Sequence, residues 1–124
     1  MKLENQVCSL DLAKRLKELG VKQESLFWWV WGHNVQRELN YGRIEDDNFA
    51  AFTVAELGEM LPCFFKTEEN GYVNLVIRKM ADNDWHIEYV SYKEVIYKIT
   101  EVVTEADARA KMLIYLKENN LVSV

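Results

Sequence analysis

The sequence predicts an α+β domain in which antiparallel β-hairpins form a sheet packed by about three helices. Three observations point there. Two segments place turn-forming residues between apolar, β-prone runs, three others carry apolar residues at helical spacing behind recognisable caps, and no regular strand-helix-strand alternation calls for a parallel sheet. The order reads helix, hairpin, helix, hairpin, possible strand, helix. A helix followed by a hairpin occurs twice, a hint of a pseudo-repeat without residue-by-residue identity between the halves.

The first helix opens at Ser9 and carries Leu12, Leu16 and Leu19 on one stripe before Gly20 ends it. Lys14, Arg15, Lys17 and Glu18 point elsewhere, so it is amphipathic and needs a surface to lie on. "LFWWVW" at 26–31 is short, aromatic and β-branched, which suits a strand. With a turn at Gly32-His33-Asn34, the alternating Val35, Arg37, Leu39 and Tyr41 form its partner strand. That register pairs Trp31 with Val35, Trp29 with Arg37 and Phe27 with Leu39, which leaves Leu26, Trp28 and Val30 on the second face with Gln36, Glu38 and Asn40.

"FTVAELGEMLP" is the clearest local signature. Thr53 and Glu56 fit a capping box, Phe52 and Leu57 a hydrophobic staple, and Pro62 a stop. Gly58 lies within the apolar stripe of Val54, Leu57 and Leu61, which suggests a closely packed neighbour, because a mid-helix glycine otherwise costs about 1 kcal/mol relative to alanine.

Residues 72–80 and 85–92 read as a second hairpin around Asp82-Asn83-Asp84. Pairing Ala81 with Trp85 gathers Val73, Leu75, Ile77, Ile87 and Tyr89 on one face and sets Arg78 opposite Glu88. Residues 93–103 fit either a third strand or an early start to the last helix. Thr104 caps that helix, Ala106, Ala110, Met112, Leu113 and Leu116 form its buried side, and it frays at Asn119-Asn120, with 121–124 tucking back.

A chain of 124 residues is one domain, 1–124, with enough length for one core. Its 15 basic and 20 acidic residues give a net charge of −5, the wrong sign for neutralising phosphates, so nucleic-acid binding is disfavoured. "MKLENQVCSL" has no secretory-signal pattern and no segment reaches the ~18 apolar residues of a membrane span, so the expected location is cytoplasmic. Cys8 and Cys63 read as reduced, small buried hydrophobes.

Catalytic motifs are not evident. His33 and His86 lack the company a zinc site needs, the five glycines are too dispersed to cradle phosphate, and no nucleophile elbow occurs. The acids Glu45, Asp46 and Asp47, Glu68 and Glu69, and Asp82 and Asp84 read as solvated loop charge. No catalytic residue, metal or cofactor is therefore expected.

"AFTVAELGEMLP" at 51–62 and "TEADARAKMLIYLKENNL" at 104–121 resemble the two signature segments of a family of small proteins encoded by phages, prophages and other mobile elements of gut bacteria. "VKQESLFWWVW" at 21–31 is similar to the segment that precedes them. The resemblance implies a phage or mobile-element origin and an intracellular role in the bacterial host. It brings no activity and no site residues.

Attention thus falls on the tryptophan strand, whose second face is mixed. Helices on both faces, a partner on the second, or a stacked planar ligand would each cover it. The leading expectation is a non-catalytic protein acting by protein–protein binding or homo-oligomerisation through Leu26, Trp28, Val30, Gln36 and Glu38, with Trp28→Ala weakening association but sparing the fold. The alternative is a small-molecule binder, its planar or nucleotide-like ligand stacked on Trp29 and Trp31 beside Arg37. An enzyme using the loop carboxylates is the third.

Overall fold

Among the described residues, ten regular elements follow the N-terminal 3-10 turn Leu3–Asn5: α1 (Leu10–Glu18), β1 (Phe27–Trp31), β2 (Arg37–Tyr41), β3 (Phe49–Ala50), α2 (Val54–Met60), β4 (Phe64–Thr67), β5 (Gly71–Lys79), β6 (Trp85–Val90), β7 (Val95–Val102) and α3 (Glu105–Glu118). The computed structural model describes residues 2–31, 37–41 and 47–122, with backbone alone for Trp31 and Arg37. The fold is α+β, with three helices and two antiparallel sheets ordered β2-β1-β3 and β4-β5-β6-β7.

Helix α3 is the centre of the packing. Ala106, Ala108, Ala110, Met112, Leu113, Ile114 and Leu116 are all buried. At 100° per residue they cover about 240° of the helix circumference, well beyond the single stripe of a surface helix. Neighbours on several sides are required, and β6, β7, α1 and α2 supply them. The helix starts where Thr104 Oγ1 accepts from the Asp107 amide at 3.1 Å. The Asp107 carboxylate accepts the Ser9 amide at 2.8 Å, so α1 is held by a carboxylate from α3 and not by its own Ser9 side chain. Arg15 reaches Glu118 at 2.8 Å near the other ends, so α1 and α3 run in the same direction.

Both hairpins keep the faces expected from the sequence but are shifted by two residues. In the first, Phe27 lies opposite Tyr41, Trp29 opposite Leu39 and Trp31 opposite Arg37. The connection is 32–36, not 32–34; its Gly32, His33, Asn34, Val35 and Gln36 lie outside the described residues. In the second, Lys79 faces Trp85, Ile77 faces Ile87 and Leu75 faces Tyr89, leaving Met80 to Asp84 as the connection. Met80 and Asp84 close it with a 2.8 Å bond, and Asn83 takes φ 69°. The sequence pattern suggests tighter turns in both places. An even-numbered slip moves partners without turning side chains over, so the facial assignments survive.

Residues left ambiguous at 93–103 form β7, whose Tyr97 and Ile99 face Tyr89 and Ile87. Strands β3 and β4 had no counterpart in the sequence pattern. Cys8 is fully buried, but Cys63 is exposed, contrary to expectation: it precedes β4 at a sheet edge, where no further strand covers it. Both thiols are free.

Candidate functional site

Trp28 and Val30 cannot form an interaction surface, because they are 1% and 3% exposed. Their strand is central in its sheet, and Trp28 stands opposite Ala50 on β3, whose small side chain leaves room for the indole. Trp28 Nε1 donates to the Ser25 carbonyl at 3.0 Å, which satisfies the ring inside the core. The polar partners Glu38 and Asn40 do not expose this face, because β2 is an edge strand and their side chains reach water past its rim.

Of the remaining residues expected to bind a partner, Leu26 is 54% exposed and Glu38 is exposed, while Gln36 lies outside the described residues. Leu26 borders a hollow of about 660 Å³ with Met60 and Glu56. Glu38 meets Trp29 in another of about 440 Å³. The stacking trio is not assembled as expected. Trp29 is opposite Leu39 rather than Arg37, and its Nε1 donates to the Cys8 carbonyl at 3.1 Å. Trp31 and Arg37 face each other in the backbone ladder, and their side chains lie outside the description.

A larger groove lies where the two sheets and two helix starts converge. Its volume is about 760 Å³, within the range of small-molecule sites. The N-terminal segment forms one bank, held by the Val7–Thr53 bridge, a 2.9 Å bond from the Cys8 amide to the Phe52 carbonyl and a 3.3 Å bond from the Val54 amide to Gln6. Phe27 comes from β1, Val54 from the first turn of α2, Trp85 from the start of β6 and Val103 from the link into α3. Together with Leu3 they make the walls apolar. Val103 is 78% exposed, a large loss for a valine unless something covers it.

Three polar groups at the groove, on Thr53, Thr104 and Glu105, are engaged within the chain. Thr53 Oγ1 accepts from Glu56 N at 3.1 Å and Thr104 Oγ1 from Asp107 N at 3.1 Å, each capping its helix. Glu105 holds Arg109 at 2.7 Å, and Lys79 Nζ lies 5.8 Å from the Trp85 ring centroid. The site thus offers apolar contact and a polar rim, a combination suited to binding.

The described loop acids do not converge on this groove. Asp82 Oδ1 accepts the Asp84 amide at 3.1 Å within its turn, Glu68 and Glu69 are exposed in another, Asp47 is exposed, and Glu45 and Asp46 lie outside the described residues. Among the described residues no group of three His, Cys, Asp or Glu side chains could hold a metal ion, and no helix is long and apolar enough to cross a membrane. His86 faces Arg78 across the second hairpin, and His33 lies outside the description.

Sequence reasoning missed all five wall residues, Leu3, Phe27, Val54, Trp85 and Val103, as site residues. They come from five separate segments, and only Val103, an apolar residue just ahead of the Thr104 cap, carried a signal. Comparison with protein-family models, curated proteins and solved structures returns no match.

Proposed function

We propose that this chain is a non-catalytic binding protein, of phage or mobile-element origin, and that the groove between its two sheets takes a small, largely apolar molecule with a planar part. The origin rests on the segments at 51–62 and 104–121. The binding reading rests on one observation: a space of about 760 Å³ walled by Leu3, Phe27, Val54, Trp85 and Val103, with Thr53, Thr104 and Glu105 at its rim committed to two caps and an ion pair. Small-molecule binding therefore moves ahead of the protein interface built on Trp28, which is sealed within its own chain.

An aromatic sulfonate such as anilinonaphthalene sulfonate is a suitable probe, because it joins a planar apolar body to a polar group. It should raise the melting temperature of the native protein, as any ligand selective for the folded state does. Val54→Trp, which fills the groove from its wall, should abolish that rise. A melting temperature indifferent to the probe, or a rise unchanged in the filled variant, would overturn the groove as the site.

Exposed Leu26 and Tyr41, at 54% and 71%, favour a second reading, association with a protein partner or a second copy. Light scattering separates the two. A dimer dispersed by Leu26→Asp and Tyr41→Asp, with the groove probe inert, would support the second.

A further inference from the structure

We propose that the outer face of the β4–β7 sheet binds single-stranded nucleic acid. The strand registers place Phe64 and Lys66 of β4, Tyr72 and Arg78 of β5, Glu88 of β6 and Lys98 of β7 on one side. Val73, Ile87 and Tyr89 point to the other side, where they are buried toward α3. Phe64 and Tyr72 are each 59% exposed, and Lys66, Arg78 and Lys98 are exposed as well. This side is thus the solvent-facing surface of the sheet.

Charge is segregated there in a way the net value of −5 conceals. The face carries three cations against one carboxylate, and that carboxylate, Glu88, is only 5% exposed and paired with Arg78 at 3.4 Å. Of the nearby acids, Glu68, Glu69 and Glu94 lie beyond one end of the strands and Asp82 and Asp84 beyond the other, while Glu101 lies within β7 near its end. An anion lying along β4 and β5 beside Phe64 and Tyr72 meets Lys66, with Arg78 and Lys98 farther along the same face.

Charge alone would suit any polyanion; the aromatic pair narrows the choice. Phe64 and Tyr72 have centroids 5.9 Å apart at an interplanar angle of 60°, and Lys66 Nζ lies 6.0 Å from the Tyr72 centroid. Exposed rings beside cations on a sheet surface are what unpaired bases require, since bases stack on the rings while phosphates meet the cations. A duplex hides its base faces, and an acidic peptide has none. Single-stranded nucleic acid satisfies both features.

Fluorescence anisotropy with labelled oligothymidylate and oligouridylate of about ten nucleotides tests this on the intact chain at low salt. Binding should weaken as salt rises, with a log–log slope of about −1 to −2 for two or three phosphates neutralised. Phe64→Ala and Tyr72→Ala should each lower affinity about tenfold or more, and Lys66→Glu should weaken binding to both oligomers. All three sites are exposed, so unchanged melting temperatures verify the fold. Val54→Trp in the groove should leave the affinity as it is, which separates this surface from the small-molecule site. Absence of binding at about 0.1 mM protein, weak even for non-specific contacts, would overturn the proposal. So would equal affinity for a duplex or a polyglutamate peptide, or affinity unmoved by both aromatic truncations.

Discussion

The Glu56 carboxylate accepts the backbone amide of Leu26 through Oε2 at 3.1 Å, joining two residues 30 positions apart. Its other oxygen accepts Thr53 N and Ser25 Oγ, both at 2.8 Å. One side chain thus closes the capping box of α2 and fixes the start of β1. Charge-assisted bonds of this kind are about twice as strong as neutral ones. Glu56→Ala should cost about 2–3 kcal/mol, and a double-mutant cycle with Ser25→Ala should show coupling. Urea unfolding measures both; a loss below about 0.5 kcal/mol would mean that the clasp is incidental.

Gly58 shows why a helix former is absent from that helix. A Cβ there would stand 2.8 Å from Arg109 Nη1, whose neighbouring Nη2 pairs with Glu105 at 2.7 Å. In a free helix Gly→Ala stabilises by about 1 kcal/mol. Here Gly58→Ala should be neutral or destabilising by about 1 kcal/mol, since the guanidinium must move from its partner. In an Arg109→Ala background the same change should turn stabilising. A gain in the wild-type background would show that Arg109 yields without cost.

Trp28→Ala separates the core role from the surface role. An interface residue could be truncated with the fold intact, but an indole 1% exposed leaves a cavity, and large-to-small core changes of this size cost about 3–5 kcal/mol. Thermal unfolding should show a severe loss or no cooperative transition, whereas Leu26→Ala should stay within about 0.5 kcal/mol of wild type.

The two thiols should differ sharply. Cys63 is exposed and Cys8 buried, so a maleimide should label Cys63 quickly and Cys8 only after unfolding. Burial pushes the Cys8 thiol from 9.0 to about 12. Between those values the unfolded chain has released a proton that the folded chain retains, so stability falls with rising pH by up to about 1.4 kcal/mol per unit. Burial also raises the Tyr89 phenol above its ordinary 10.0, steepening the fall beyond that pH. Urea midpoints measured on either side of pH 9 should show this slope, reduced in Cys8→Ala. Equal slopes in the two proteins would refute the Cys8 contribution.

Much of the fold was legible where the cause is local. The Thr53–Glu56 box, the Thr104 cap, the alanine-lined α3 and the amphipathic α1 all depend on neighbours within a few residues, and all are present. Register was legible only in parity, because alternation says which side chains share a face but not how many residues a turn consumes. The site was barely legible. Trp28 stood out by chemistry yet belongs to the core, and Val103 and Trp85 are ordinary residues until the chain brings them together.

Short-range pattern by itself determined the α+β class, the helix starts and the facial partition of the described paired residues in the two hairpins. Tertiary packing alone decided which face of the tryptophan strand is sealed. Alternation divides a strand into two sides symmetrically; only the placement of Ala50 opposite Trp28, and of Trp28 and Val30 in the core, distinguishes inside from outside. Burial is a property of what lies across from a residue, and distant segments supply that.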